Sequence, residues 1–318
     1  MRRPSSGAAA SSRGGGASEF ELVCRLECVQ GLVDALTSIK WKKQQDAICE
    51  LSEHGMLIVV EESSCLQGKV YFRKELFKEY QYHANVRPRF GVSLTTLVDC
   101  LNTFASTAGT TALELRYPGT DMELILRLTD ESRMCTDAEI RTRIPDSVPY
   151  DFSIDDDDAN EPPVSFAVKS SALKDAFEDL EWPGSSIQIA LNPEPPVVTF
   201  RGEGHGDLQI DFFYDSQTDL FIAFQCDRAA SFWYKYKFLR ATTANIPGSI
   251  LKDNRGSKLT IDNRGLLKVQ HIISIRQTAA QVQQNQDSSL DGRMTDQSSR
   301  ISYVEFYVLP DEEPVDVN

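Results

Sequence analysis

The densest set of reactive side chains lies between Asp137 and Pro163, where nine carboxylates (Asp137, Glu139, Asp146, Asp151, Asp155 to Asp158, Glu161) face two arginines, Arg141 and Arg143. Carboxylates in such numbers could serve phosphodiester hydrolysis, which needs several of them converging on two metal ions about 4 Å apart. Their spacing does not suit that task. Consecutive carboxylates such as Asp155 to Asp158 point in different directions, so the run reads as solvated charge. Asp207 and Asp211 are near in sequence, but four residues of strand separate them by about 13 Å. Cys24 and Cys28 are spaced CxxxC, without a second pair or a nearby histidine to complete a zinc site. The seven cysteines (24, 28, 49, 65, 100, 135, 226) are odd in number and scattered, a pattern of reduced thiols in a cytosolic or nuclear protein. The glycine cluster Gly202-Glu203-Gly204-His205-Gly206 lacks the Lys-Ser/Thr of a phosphate loop and precedes a strand, so it reads as a hairpin turn. The residues predict no metal site, no cofactor and no catalytic constellation.

Prolines at 145, 149, 162 and 163 forbid a helix in the acidic stretch and suit an extended path. Ile144, Val148 and Phe152 keep an apolar thread in it, which suggests a strap laid over a surface between two folded units. A chain of 318 residues, 41% hydrophobic and 25% charged, fits two soluble domains with cores of their own. No apolar run approaches the roughly 18 residues that span a bilayer. A formal charge of −14 argues against coating nucleic acid with the whole surface, while leaving room for one basic face on an acidic body.

Residues 1–18, rich in Arg, Ser, Gly and Ala, read as a disordered tail; an organelle transit peptide has a similar composition but would carry an amphipathic pattern. In the first unit, 19–136, FELVCRLE alternates as a strand, and Val29, Leu32, Val33, Leu36 and Ile39 fall at helical spacing. DAICEL and GMLIVVEE form strands turning at Glu53-His54-Gly55, and KVYFRKELFKEYQY adds one or two more. Leu94, Leu97, Val98, Leu101 and Phe104 mark a second helix with Ser93 as N-cap, followed by the TALELRY and MELILRLT hairpin and an edge strand within 132–143. The connector is 137–163. The second unit, 164–313, repeats this order with a helix around Leu173, Ala176, Phe177 and Leu180, a second helix at YKYKFLRATTAN, and a polar insert at 277–300; 314–318 is a tail. Asp34-Ala35-Leu36 with Trp41 recurs as Asp175-Ala176-Phe177 with Trp182, an offset of 141 residues. Two similar domains, each with two helices packed on antiparallel sheets, make the predicted class α+β.

This order resembles the sliding-clamp (DNA clamp) fold of proliferating cell nuclear antigen. LVDCLNTF at 97–104, TIDNRGLLKVQHII at 260–273 and YVEFYVLPDEE at 303–313 resemble more closely the Rad-one family of subunits of the heterotrimeric DNA-damage checkpoint clamp. The resemblance runs from about Phe20 to Glu313; the insert and the N-terminal tail depart from it.

It implies a non-enzymatic nuclear ring subunit that assembles with Rad-nine and Hus-one type partners. A clamp loader places such a ring on double-stranded DNA without sequence preference, and it recruits checkpoint and repair proteins. The alternatives are a homotrimeric replication processivity clamp and, for this family, a metal-dependent exonuclease. The inner helices would then offer Lys40, Lys42, Lys43, Lys235, Lys237 and Arg240 to phosphates, although Asp175, Glu178, Asp179 and Glu181 make one helix acidic. Subunit contacts would use the edges carrying Met134, Thr136 and Ala138, and Leu208, Ile210 and Phe212. A groove for partner motifs would lie among Ile144, Val148, Phe152, Leu309 and Pro310.

Overall fold

The computed structural model describes residues 20–103, 111–154, 161–215, 217–252, 255–274 and 301–312. The N-terminal tail, Phe104, Asp155 to Asp158 and the 277–300 insert lie outside them. The first half comprises β1 (Leu22–Leu26), α1 (Gln30–Ser38), β2 (Asp46–Ser52), β3 (Gly55–Glu62), β4 (Leu66–Arg73), a 3-10 turn (Lys74–Leu76), β5 (Glu79–Tyr82), β6 (Arg89–Ser93), α2 (Leu94–Leu101), β7 (Ala112–Tyr117), β8 (Leu124–Thr129) and β9 (Cys135–Ile140). The second comprises β10 (Val164–Lys169), α3 (Ser170–Asp179), β11 (Ser186–Pro193), β12 (Pro196–Gly202), β13 (Leu208–Phe213), β14 (Phe221–Gln225), β15 (Ala230–Lys235), α4 (Tyr236–Thr243), α5 (Gly248–Lys252), β16 (Gly256–Ile261), β17 (Leu267–Ser274) and β18 (Ile301–Val308). The class is α+β, with short helices on extensive antiparallel sheets. The 141-residue offset holds for the helices: shifted by it, α1 falls on 171–179, against 170–179 for α3, and α2 on 235–242, against 236–243 for α4.

Local chemistry accounts for the helices. Ser93 Oγ accepts the Thr96 N–H at 3.2 Å, satisfying a donor that the first turn of α2 leaves open. Leu94, Leu97, Val98 and Leu101 then form its buried stripe. In α3 the buried side is Leu173, Ala176 and Phe177. Four elements go beyond the sequence expectation: β6, β14, β15 and α5. Strands β6 and β15 run directly into α2 and α4 with no turn residues between, so each pair reads as one segment.

The strands form three sheets, with orders β5-β1-β7-β8-β9, β14-β10-β16-β17-β18-β4-β3-β2-β6 and β13-β12-β11-β15. The nine-stranded sheet draws on both halves. Its joint is β18 against β4, antiparallel, with Val304 opposite Val70, Glu305 opposite Lys69 and Val308 opposite Leu66. Helix α1 packs on α2 and reaches β17; α3 packs on α4, which lies on β18. Gly68 in β4 faces this helical layer. A Cβ there would stand 3.0 Å from the Trp41 ring and 3.1 Å from Ile39 Cγ2, so the absent side chain lets the end of α1 press onto the joint. Side chains alternate along a strand, so Gln67 and Lys69 face the opposite side.

Candidate functional site

The ends of α1 and α4 form one cleft. Trp41, Lys42 and Glu62 face Lys237, Arg240 and Asn245 across an open space of about 380 Å³. The Asn245 amide donates to the Lys40 carbonyl and ties the two ends together. Trp41 Nε1 donates to Glu62 Oε2 at 2.7 Å, and Lys42 Nζ lies 3.3 Å from the same oxygen. Arg240 pairs with Glu181 at the end of α3. Lys43 and Lys237 are exposed and Lys40 is half-buried. The structure thus brings Lys42, Lys237 and Arg240 together, with Lys40 and Lys43 beside them. Lys235 stands apart, 3.6 Å from Asp311. On α3, Lys174 lies 3.7 Å from Glu178, and Lys169 at the end of β10 pairs with Asp219.

Both strands expected at subunit edges are edges. β9 ends the five-stranded sheet and β13 ends the four-stranded one. Their side chains divide by face. Thr136 and Ala138 point inward on β9, as do Leu208, Ile210 and Phe212 on β13, and Met134 lies exposed just before β9. Phe212 is a core residue: it is 8% exposed, with ring contacts to Phe200 at 5.3 Å and Phe221 at 6.5 Å. Its aromatic ring is therefore not an exposed interface side chain. What the β13 edge offers outward is its main chain with Gln209, Asp211 and Phe213, which follows from the period-two pattern once the inner face is known. Asp211 is committed locally, accepting from Thr199 Oγ1 at 2.6 Å and from Gln209 Nε2 at 2.8 Å.

The strap crosses the face opposite the helices. Arg143 bridges Gly91 in β6 through main-chain bonds of 2.7 and 3.0 Å. The Tyr150 N–H donates to Glu61 Oε1 and its carbonyl accepts from Gln67 Nε2, both at 2.8 Å. Lys69 Nζ donates to the Phe152 carbonyl at 3.2 Å and sits 4.8 Å above the Tyr307 ring. Phe152 stacks between Tyr150 at 5.9 Å and Tyr307 at 6.3 Å. Of the five groove residues expected, Phe152 meets the sheet and Leu309 bonds the Cys65 carbonyl through its N–H at 2.9 Å. Ile144 and Val148 do not join them, being 88% and 69% exposed, and Pro310 is exposed. Tyr307, Lys69, Gln67, Glu61 and Gly91 are strap contacts that the sequence did not reveal. The alternation of Tyr303, Glu305 and Tyr307 marks an outward face, but not what covers it.

Among the described residues no group of three or more His, Cys, Asp or Glu is placed to hold a metal ion. The nine-stranded sheet shared by the two halves thus carries helices on one face and the strap on the other. A proliferating cell nuclear antigen from Thermococcus kodakaraensis superposes with a TM-score of 0.67, covering 91% of this chain and all of that one at 13% identity. The class of fold is the sliding clamp.

Within that class the chain belongs to the Rad1 family: the model described as repair protein Rad1/Rec1/Rad17 matches residues 21–273. It is 29% identical over 302 residues to the cell cycle checkpoint protein RAD1 of Mus musculus, covering 93% of this chain and 94% of that protein. It is 28% identical to the protein of the same name from Homo sapiens, with 93% of each covered.

Proposed function

We propose that this chain is a non-enzymatic subunit of a ring of three different clamp proteins that encircles DNA at sites of damage. In this reading 19–136 and 164–313 are its two clamp domains, joined by the strap. The observation that carries it is the joint between β18 and β4. Under the internal repeat, β9 is the counterpart of β18 and β13 the counterpart of β4. The inner pair is bonded, while β9 and β13 each lack that neighbour. A strand edge with open N–H and C=O groups invites strand addition. Joining β9 of one subunit to the β13-type edge of the next repeats the inner joint as a head-to-tail contact, which closes into a ring.

The partners in this reading are Rad-nine and Hus-one type subunits, placed by a clamp loader in the nucleus. The cleft of Lys42, Lys237 and Arg240 supports phosphate contact without base readout. The strap face supports the docking of checkpoint and repair proteins. The test is the mass in solution, alone and co-expressed with the two partners. A monomer alone and a one-to-one-to-one assembly together is the expected result; a stable homotrimer would overturn it in favour of a replication-type clamp.

A further inference from the structure

The joint inside the chain supplies a register for the joints outside it. Ile140 opposite Leu124 and Val308 opposite Leu267 close equivalent hairpins, and three residues before each lie Asp137 and Glu305. Phe72 opposite Met56 and Phe212 opposite Val198 are likewise equivalent, and three residues before each lie Lys69 and Gln209. Within the chain Glu305 stands opposite Lys69 in the register, acid facing base, while its ion pair is with Lys268 on β17 at 3.2 Å. On its inner side Glu305 accepts from Gln270 at 2.7 Å; Asp137, in the same place, is held by Arg127 at 2.6 Å.

Asp137 also ends a row of alternating charge that crosses the five-stranded sheet. Glu79 on β5 pairs with Arg25 on β1, and Arg25 with Glu114 on β7, each at 2.7 Å. Glu114 lies opposite Arg127 on β8, which pairs with Asp137 on β9. The next position in this row belongs to whatever strand adds to β9. Glu139, the next outward residue, is exposed and adds a second negative charge to the edge.

We infer that the subunit docking on β9 presents a lysine or arginine opposite Asp137, in the place Lys69 takes opposite Glu305. This rests on the ring reading above. A second copy of this chain does not meet the requirement: in the same register it sets Gln209 opposite Asp137 and Asp207 opposite Glu139. Like charges facing each other across a strand pair destabilise it, and a misplaced charge selects against the wrong partner. The chain's two edges are mismatched to each other, which favours a ring of unlike subunits.

The test is Asp137→Lys in the full chain, co-expressed with the two partner subunits, with assembly followed by mass photometry on dilution. Association through β9 should weaken at least about tenfold near 0.1 M salt, and the deficit should shrink near 0.5 M as screening removes the repulsion. Asp137→Asn should weaken it less, and the melting temperature of each isolated variant reports separately on the lost Arg127 pair. A wild-type ring with an Asp137→Lys ring equally tight would overturn this inference and leave the ring standing. Equal weakening at both salt concentrations would point to damaged shape and also overturn it. A wild-type chain that fails to assemble would remove the ring reading and this inference together.

Discussion

His271 on β17 reaches the carbonyl of Thr242 on α4 at 2.7 Å through Nε2, with its Nδ1 2.7 Å from Ser257 Oγ. A carbonyl only accepts, so Nε2 carries the proton and Nδ1 accepts from the serine. Ser257 in turn lies 2.8 Å from Ser170 at the start of α3. This buried chain fixes α3 and α4 to the sheet beneath them. Replacing the imidazole in His271→Leu strands the Thr242 carbonyl and leaves the Ser257 hydroxyl with Ser170 as its partner. The expected cost is about 1–3 kcal/mol, read from urea unfolding of the chain. Wild-type stability in the variant would show that the relay contributes nothing.

The same ring sets an acid limit. Burial holds His271 down at about 4 against a usual 6.5. Folding therefore favours the neutral ring. Its contribution is fully present above about pH 6.5 and is lost as pH falls toward 4, amounting to about 3 kcal/mol. Unfolding free energies of His271→Leu measured across that window should show a correspondingly flatter pH profile.

The β16–β17 turn depends on Asp262, whose Oδ1 accepts the N–H of Arg264 at 2.9 Å and of Leu266 at 2.8 Å. Gly265 follows with φ +85°, and a Cβ there would stand 2.5 Å from the Phe232 ring. Asp262→Ala should lower stability by about 1–2 kcal/mol. Gly265→Val should cost more, since it combines a left-handed backbone with a ring clash. Thermal melts of the two variants would rank them, and the reverse order would contradict this account.

In the cleft, Lys237 is exposed while Arg240 is held by Glu181. If the cleft faces phosphates, Lys237→Ala should reduce the slope of log affinity against log salt by about 1 for the loaded ring. Glu181→Gln releases Arg240 and should tighten DNA retention. Retention assays in which neither variant differs from wild type would place the DNA path elsewhere.

Phe152 pins the strap by stacking on Tyr307 at 6.3 Å. Phe152→Ala should expose 144–154 to limited proteolysis while leaving the melting temperature nearly unchanged, because the strap adds little to the core. Resistance to cleavage would mean that the bonds of Lys69 and Gln67 suffice.

Much of the fold was legible from periodicity. The stripe Leu94, Leu97, Val98 and Leu101 and the cap at Ser93 located α2, and the 141-residue recurrence around Asp34 and Asp175 disclosed the duplication. Strands β6 and β15 were not read from the sequence; each runs straight into its helix, and YKYKFLRATTAN was read as helix although Tyr234 and Lys235 close β15. The strands expected to carry the interface are sheet edges, and the residues named on β13, Leu208, Ile210 and Phe212, all face its inner side. Alternation divides a strand into two faces without saying which one meets the core, and the ring contacts with Phe200 and Phe221 decide it.

Local order, hydrophobic period and charge were properties the sequence carried alone, since each depends on neighbours along the chain. Pairings between distant residues were decided by the tertiary structure. Trp41 and Lys42 meet Lys237 and Arg240, Glu305 faces Lys69, and Asp137 ends a five-strand row of charge. Each pairing requires segments far apart in sequence to share a register, and register is fixed only when the buried face of a sheet closes on its core.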